Sequence, residues 1–305
     1  MRMRFGALLV TFIASPLAAE AQAPGVRTPP GTVIHEDLAY VDGGHERQVL
    51  DLYLPANAAT PLPVIVAIHG GAWRTGNKTQ SSDMAWGIPV LVGAGYAVAS
   101  LHHRYSSQGL FPAQLHDVKA AIRWLRRNEG SFGIDGGRIG VWGASSGGHL
   151  GALVGTSADV PTMDGDLGEG DESTRVVAVV AWYPPTDFLQ MDSQKLTGGL
   201  VHDAPDSPES QLLGGPVQER REAARAASPV TYATADDPPF LLLHGDNDLL
   251  VPFQQSELLH RALLAAGVAS DLRIIPGAGH GTDHFRSPEV EVLMVEFFNR
   301  HVRRQ

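Results

Sequence analysis

The feature that most constrains this 305-residue chain is a short run near its middle, Gly143-Ala144-Ser145-Ser146-Gly147. Alone, Gly-x-Ser-x-Gly is a frequent chance pattern. Here the largely apolar stretch 138–142 runs straight into it, and a helix-competent stretch, 148–154, follows. A strand that turns directly into a helix through a serine strains the serine backbone and presents its hydroxyl above the strand end. Residues two before and two after that serine crowd the turn, and Gly143 and Gly147 remove the side chains that would collide. The helix start supplies unpaired N–H groups and the positive end of a dipole. The Ser146 N–H is therefore expected to face a developing oxyanion.

The rest of the chain suits such a turn. Strand-like runs at 37–41, 48–54, 64–68, 96–101, 138–142, 176–182, 240–243 and 272–275 alternate with amphipathic helices. That alternation marks a mostly parallel sheet with helices on both faces. Asp42-Gly43-Gly44 reads as a hairpin turn between the first two strands. Leu115, Val118, Ala121, Ile122 and Leu125 recur at helical spacing, as do Leu258, Leu259, Ala262 and Leu263. Ser287 and Pro288 read as the N-cap and first residue of a final helix. Residues 184–238 break the rhythm. They are rich in Pro and Gly, with one helical piece near 217–227, and read as a cap-like insertion after the sixth strand.

Two arginines, Arg2 and Arg4, precede an apolar run from Phe5 to Ala19 and a set of small residues at 19–23. This is the pattern of a cleaved signal peptide, here 1–21, ahead of a single domain at 22–305, and it implies a secreted or periplasmic protein. The run is short of the roughly 20 residues a spanning helix needs, so no stable membrane insertion is expected after cleavage. The chain has no cysteine, which excludes disulfides, thiolate catalysis and cysteine–metal sites. A net charge of −10 argues against nucleic acid as a partner. No cofactor and no metal are expected.

Chemistry-bearing residues fall at strand ends. His69-Gly70-Gly71-Ala72-Trp73 follows the third strand, where the second arm of an oxyanion hole belongs; Gly71 and Ala72 are expected to join Ser146 there. His69 reads as a residue that holds the loop. Asp248 follows the seventh strand and His280, between two glycines, follows the eighth. A serine needs an imidazole to take its proton and a carboxylate to orient that imidazole, so Ser145, His280 and Asp248 are assigned those parts. Asp246 and His284 are the second choices. His102 and His103 are adjacent at the end of the fourth strand; were the strand to continue, they would point to opposite faces. Trp73, Trp182, Phe188 and Leu250 are candidate pocket walls.

Several longer segments carry a family resemblance. They are residues 64–73, Asp117-Val118-Lys119-Ala120-Ala121-Ile122-Arg123-Trp124-Leu125, the serine turn, Ser228-Pro229-Val230-Thr231-Tyr232, Pro238-Pro239-Phe240-Leu241, and the Asp248 and His280 loops. Together they resemble the bifunctional deacetylase/feruloyl-esterase-like branch of the α/β-hydrolases, near the hormone-sensitive-lipase-like esterases. The resemblance covers nearly all of residues 22–305. It implies an α/β-hydrolase fold and carboxylic ester hydrolysis through an acyl-enzyme, on short acyl or aryl esters of acetyl or feruloyl type, free or linked to polysaccharide. The lipase-like relatives carry His-Gly-Gly-Gly where this chain has His69-Gly70-Gly71-Ala72, which fits the feruloyl-esterase-like branch. Where relatives often show Tyr-Arg-Leu, this chain has His103-Arg104-Tyr105. The competing readings are a serine peptidase or lipase of the same fold, or an inactive hydrolase acting as a binding protein.

Overall fold

A computed structural model describes residues 25–303 except 57, 58, 60, 159 and 169. The expected signal segment, 1–21, lies outside the described residues. Eight strands form one sheet: β1 (Val33–Ala39), β2 (Val49–Leu54), β3 (Leu62–Ile68), β4 (Ala97–Leu101), β5 (Ile134–Ala144), β6 (Ala178–Trp182), β7 (Phe240–Gly245) and β8 (Ser270–Ile275). Their order is β1-β2-β4-β3-β5-β6-β7-β8. The pairs β1/β2 and β2/β4 are antiparallel, and all the others are parallel.

The central strands are continuous apolar runs because helices cover both of their faces. Every residue of β3 is buried. Its side chains alternate between two cores. Val64, Val66 and Ile68 join the layer under α2 (Ala113–Arg127), α4 (Ser146–Thr156) and α9 (Gln254–Ala265). Ile65 and Ala67 join the layer under α1 (Ser82–Gly93) and α10 (Pro288–Phe298). Ser287 caps α10, its hydroxyl accepting the Val290 N–H, with Pro288 in the first position as expected. Short helices α3 (Glu129–Phe132) and α5 (Pro161–Asp164) complete this half of the chain. Among the described residues, no helix is long and apolar enough to cross a membrane.

Several elements differ from expectation; β5, at Ile134–Ala144, begins four residues before and ends two residues after the expected run at 138–142. The first strand lies four residues earlier, at Val33–Ala39, with a register shift between His35 and Leu38. Asp37 sits in that shift at φ 53°, its N–H bound to Asp51 Oδ1 at 2.9 Å. Lys78 bridges both carboxylates, 2.9 Å from Asp37 and 2.7 Å from Asp51. An exposed edge strand containing His35-Glu36-Asp37 offers no apolar alternation to read. The Asp42-Gly43-Gly44 turn is part of a longer connection closed by Tyr40 N–H to Gln48 O. Helix α1 gave no clear signal because it contains Gly87 and Pro89. Gly87 is needed there: a Cβ would lie 2.1 Å from Trp142 Cη2.

The insertion at 184–238 is more helical than its composition suggested. It holds α6 (Met191–Gln194), α7 (Pro208–Leu213) and α8 (Arg221–Ala226). Helices of four to six residues are too short to display a period. Ser207 caps α7, its hydroxyl accepting the Ser210 N–H.

A buried ion pair ties the loop after β4 to α2. Asp117 is fully buried and accepts from the Arg104 N–H at 2.8 Å, the Arg104 guanidinium at 2.8 Å and Gln48 Nε2 at 2.8 Å. Removing one partner of such a pair strands the other. Asp117→Asn is expected to cost about 3 kcal/mol, seen as a lower urea midpoint with an unchanged denaturant slope.

Candidate active site

Strand β5 ends at Ala144 and α4 begins at Ser146, so Ser145 alone makes the turn, at φ 56° and ψ −123°. This positive φ is strained for a residue with a Cβ. Its surroundings hold it there. The Ser145 N–H donates to Trp182 O at 2.9 Å, and Ser145 O accepts from His149 N–H at 2.9 Å. A Cβ on Gly143 would lie 2.3 Å from Gly147 O, and one on Gly147 would lie 2.1 Å from Ile68 O. The two glycines let backbone pack on backbone around the serine.

The turn brings the expected groups together. His280 Nε2 lies 2.9 Å from Ser145 Oγ, and His280 Nδ1 lies 2.7 Å from Asp248 Oδ2. Asp248 is 2% exposed, and its Oδ1 accepts the N–H groups of Leu250 at 2.8 Å and Val251 at 2.9 Å. Burial alone would raise the Asp248 carboxyl. Hydrogen bonds from His244 and His280 outweigh it and hold the group well below the usual carboxylate range. Asp246 is elsewhere: its Oδ1 accepts the Gly277 N–H at 2.6 Å and so joins the β7 and β8 loops. His284 pairs with the Thr282 hydroxyl at 3.1 Å.

The loop after β3 runs beside the serine. A Cβ on Gly70 would lie 3.3 Å from Ser145 Cβ. Gly71, Ala72 and Trp73 all have positive φ, at 118°, 56° and 56°. Gly71 O accepts the N–H groups of Arg74 and Thr75, both at 3.0 Å, which closes the loop into a tight turn. Gly71 has no room for a side chain, since a Cβ would lie 2.3 Å from Thr75 O.

A cavity of about 220 Å³ opens beside Ser145 and His280. Trp73 and Leu250, two of the expected walls, line it, and so do Ala72 and Ser146 of the expected oxyanion hole, whereas Gly71 does not. Trp182 and Phe188 do not. Trp182 lies at the end of β6 and is fully buried against Trp142, with ring centroids 5.1 Å apart, in the layer under α1 and α10. Phe188 lies behind the wall, packed on Trp73 at 5.6 Å and on His149 at 5.2 Å. His149 ties the β3 loop to the insertion. It accepts from Trp73 Nε1 at 3.2 Å and donates to Ala227 O at 2.7 Å, so the insertion docks on α4 through it.

Sequence reasoning missed other parts of the site. Leu200, Pro208 and Glu209 of the insertion and Arg74 of the β3 loop also line the cavity. The Tyr183 ring lies 4.5 Å from that of His280, and its hydroxyl donates to Asp83 at 2.8 Å. Arg286 donates to Asp83 at 3.0 Å and to Gly281 O at 3.1 Å, which clamps the loop carrying His280. His244 clamps the acid loop, donating to Val251 O at 3.0 Å with Ser256 Oγ 2.7 Å from its other nitrogen. Of these, only His244 and Arg74 stood beside a motif. The others come from distant segments with no shared spacing.

Crowding at the turn makes a direct test. Gly147→Ala forces a Cβ against Ile68 O and is expected to cost about 1–3 kcal/mol of stability, measured by urea unfolding beside a Gly25→Ala control, where nothing lies within 4 Å.

Comparison with known proteins places this geometry. The BD-FAE family model matches residues 50–263. Esterase LipC of Mycobacterium tuberculosis is 33% identical over 275 residues, which cover 88% of this chain and 66% of LipC. The chain thus spans slightly under two thirds of that relative's length. A solved structure described as a truncated form of a carbohydrate esterase from gut microbiota has a TM-score of 0.84 at 32% identity, covering 91% of this chain and 99% of that one. A bifunctional GH43-CE protein of Bacteroides eggerthii has a TM-score of 0.80 at 35% identity, covering 88% of this chain and 35% of that one. The chain belongs to the BD-FAE family, and its eight-stranded sheet is that of the α/β-hydrolase esterases.

Proposed function

We propose that this chain hydrolyses carboxylic esters through an acyl-enzyme on Ser145. One observation carries the reading: His280 lies within hydrogen-bond distance of both the strained serine and a buried carboxylate. The Ser145 hydroxyl attacks the ester carbonyl carbon while its proton passes to His280 Nε2. Asp248 holds the Nδ1 proton and stabilises the imidazolium that forms. The carbonyl oxygen becomes an oxyanion and accepts from the N–H groups of Gly71, Ala72 and Ser146. The intermediate collapses, the C–O bond breaks, and His280 gives its proton to the departing alcohol. Water then repeats the sequence on the acyl-enzyme, releasing the acid and restoring Ser145.

Cavity size bears on the substrate. About 220 Å³ is below the roughly 300–1,000 Å³ that drug-sized ligands occupy, which favours short acyl groups such as acetyl. Its wall is mainly apolar, with Trp73, Leu200 and Leu250 beside the serine. Arg74 and Glu209 add a guanidinium and a carboxyl group. A neutral, hydroxyl-rich alcohol suits such a mixed rim, which supports a carbohydrate-linked ester as the natural substrate. The insertion at 184–238 acts as a fixed cap through Leu200, Pro208 and Glu209. The basic and apolar pattern of residues 2–19 supports export to the periplasm or medium.

The test is kcat/KM across p-nitrophenyl esters of increasing acyl length, with methyl ferulate and acetylated xylan alongside. The peak is expected at acetate to butyrate. Ser145→Ala is expected to abolish turnover without changing the fold; near-wild-type turnover in that variant would overturn the assignment. Asp248→Asn keeps the geometry but favours the wrong imidazole tautomer, and kcat is expected to fall on the order of 10⁴-fold.

A further inference from the structure

One guanidinium stands behind the loop that carries Gly71. Arg47 is half-buried in the connection between β1 and β2. Its Nε donates to His103 O at 2.8 Å. Its Nη2 lies 3.3 Å from each of three acceptors, His69 Nε2, His102 Nδ1 and Gly76 O. The face of the guanidinium stacks on Tyr105, 3.7 Å from the ring centre, and the Tyr105 hydroxyl donates to Gly76 O. Strand β4 stops at Leu101, so His102 and His103 do not splay to opposite faces. Both flank His69, with ring centroids 5.8 and 4.6 Å away. Arg47 thereby joins the loops after β3 and β4 to the connection before β2.

The chemistry of these donors sets a direction. A guanidinium only donates and a carbonyl oxygen only accepts, so between Arg47 and the Gly70 carbonyl His69 Nε2 is the accepting nitrogen and the His69 proton sits on Nδ1. That nitrogen lies 2.7 Å from Gly70 O and donates to it. The bond turns the Gly70 carbonyl toward the ring. In a planar trans peptide the C=O and the following N–H point in opposite directions, so the Gly71 N–H leaves the loop on the side away from His69. Burial drives His69 and His103 below the ordinary imidazole value and His102 down to about 3, which leaves these rings neutral and able to accept.

We infer that Arg47 is a positioning residue for the oxyanion loop: it imposes the His69 tautomer, and that tautomer orients the Gly70–Gly71 peptide. This rests on the reading of Gly71 as an oxyanion donor. Without Arg47, the Nε2–H tautomer becomes available to His69, the Gly70 carbonyl loses its donor, and the peptide is free to rotate. Substrate binding in the cavity uses other residues, so the effect falls on kcat.

The experiment uses the full chain and its Arg47→Met and Arg47→Ala variants. For p-nitrophenyl acetate, kcat per serine titrated by a fluorophosphonate is expected to fall by up to about 10²-fold, with KM changed less than about twofold. Millimolar guanidinium ion is expected to restore part of kcat in Arg47→Ala and to leave the wild type unaffected. Nitrogen-15 NMR of histidine-labelled protein, with His69→Gln for assignment, is expected to show the Nδ1–H form of His69 in the wild type and its loss in both variants. An unchanged His69 tautomer overturns the inference, and so does a kcat loss that vanishes when normalised to titrated serine. The tautomer is read without turnover, so a wild type inert on every ester would remove the ester reading while this measurement still decides whether Arg47 orients the loop.

Discussion

The backbone of Ser145 at φ 56° is the constraint on which the rest of the site depends. A residue with a Cβ holds that conformation only when its neighbours leave no alternative. Here they are the end of β5, the start of α4, and the contact of Gly143 with Gly147 and of Gly147 with Ile68 O. Each is backbone against backbone, so none yields by a side-chain rotation. The Trp182 carbonyl, from β6, receives the Ser145 N–H. The serine is therefore seated by three adjacent parallel strands, β3, β5 and β6, which fixes where its hydroxyl emerges.

Everything else reaches that hydroxyl from loops, and each loop has its own clamp. His244 and two backbone N–H groups hold the Asp248 carboxylate. Tyr183, Asp83 and Arg286 hold the loop of His280 from the side of α1. Arg47 and three imidazoles hold the loop of Gly71. These clamps contain several buried or half-buried charges, costly to desolvate unless paired. Their cost is offset by the two large apolar layers on the sheet, which need no help from disulfides in a chain without cysteine.

The insertion after β6 shows how a wall is added to such a frame. Its helices are too short to be stable alone. They are held by packing and by His149, which joins Ala227 of the insertion to Trp73 of the loop after β3. Cavity shape is thus coupled to the same helix, α4, that seats the serine.

The sequence alone determined the sheet, its strand order in the chain, and the residues at the centre of the site. Parallel strands covered on both faces must be apolar runs, as at 64–68 and 240–243, and the serine turn must be glycine-flanked, so both leave local marks. Asp248 and His280 stood at strand ends, where the topology delivers side chains to one edge. Other features were decided only by the tertiary structure. The edge strand at Val33–Ala39 is exposed and carries a bulge, so its pattern is polar. Trp182 and Phe188 are apolar in sequence whether they face a cavity or a core, and packing put them in the core. Arg47, Asp83 and Arg286 act through partners far away in the chain, and Glu209 reaches the cavity from the insertion. No spacing records such contacts, because they arise only when strands distant in sequence become neighbours in the sheet.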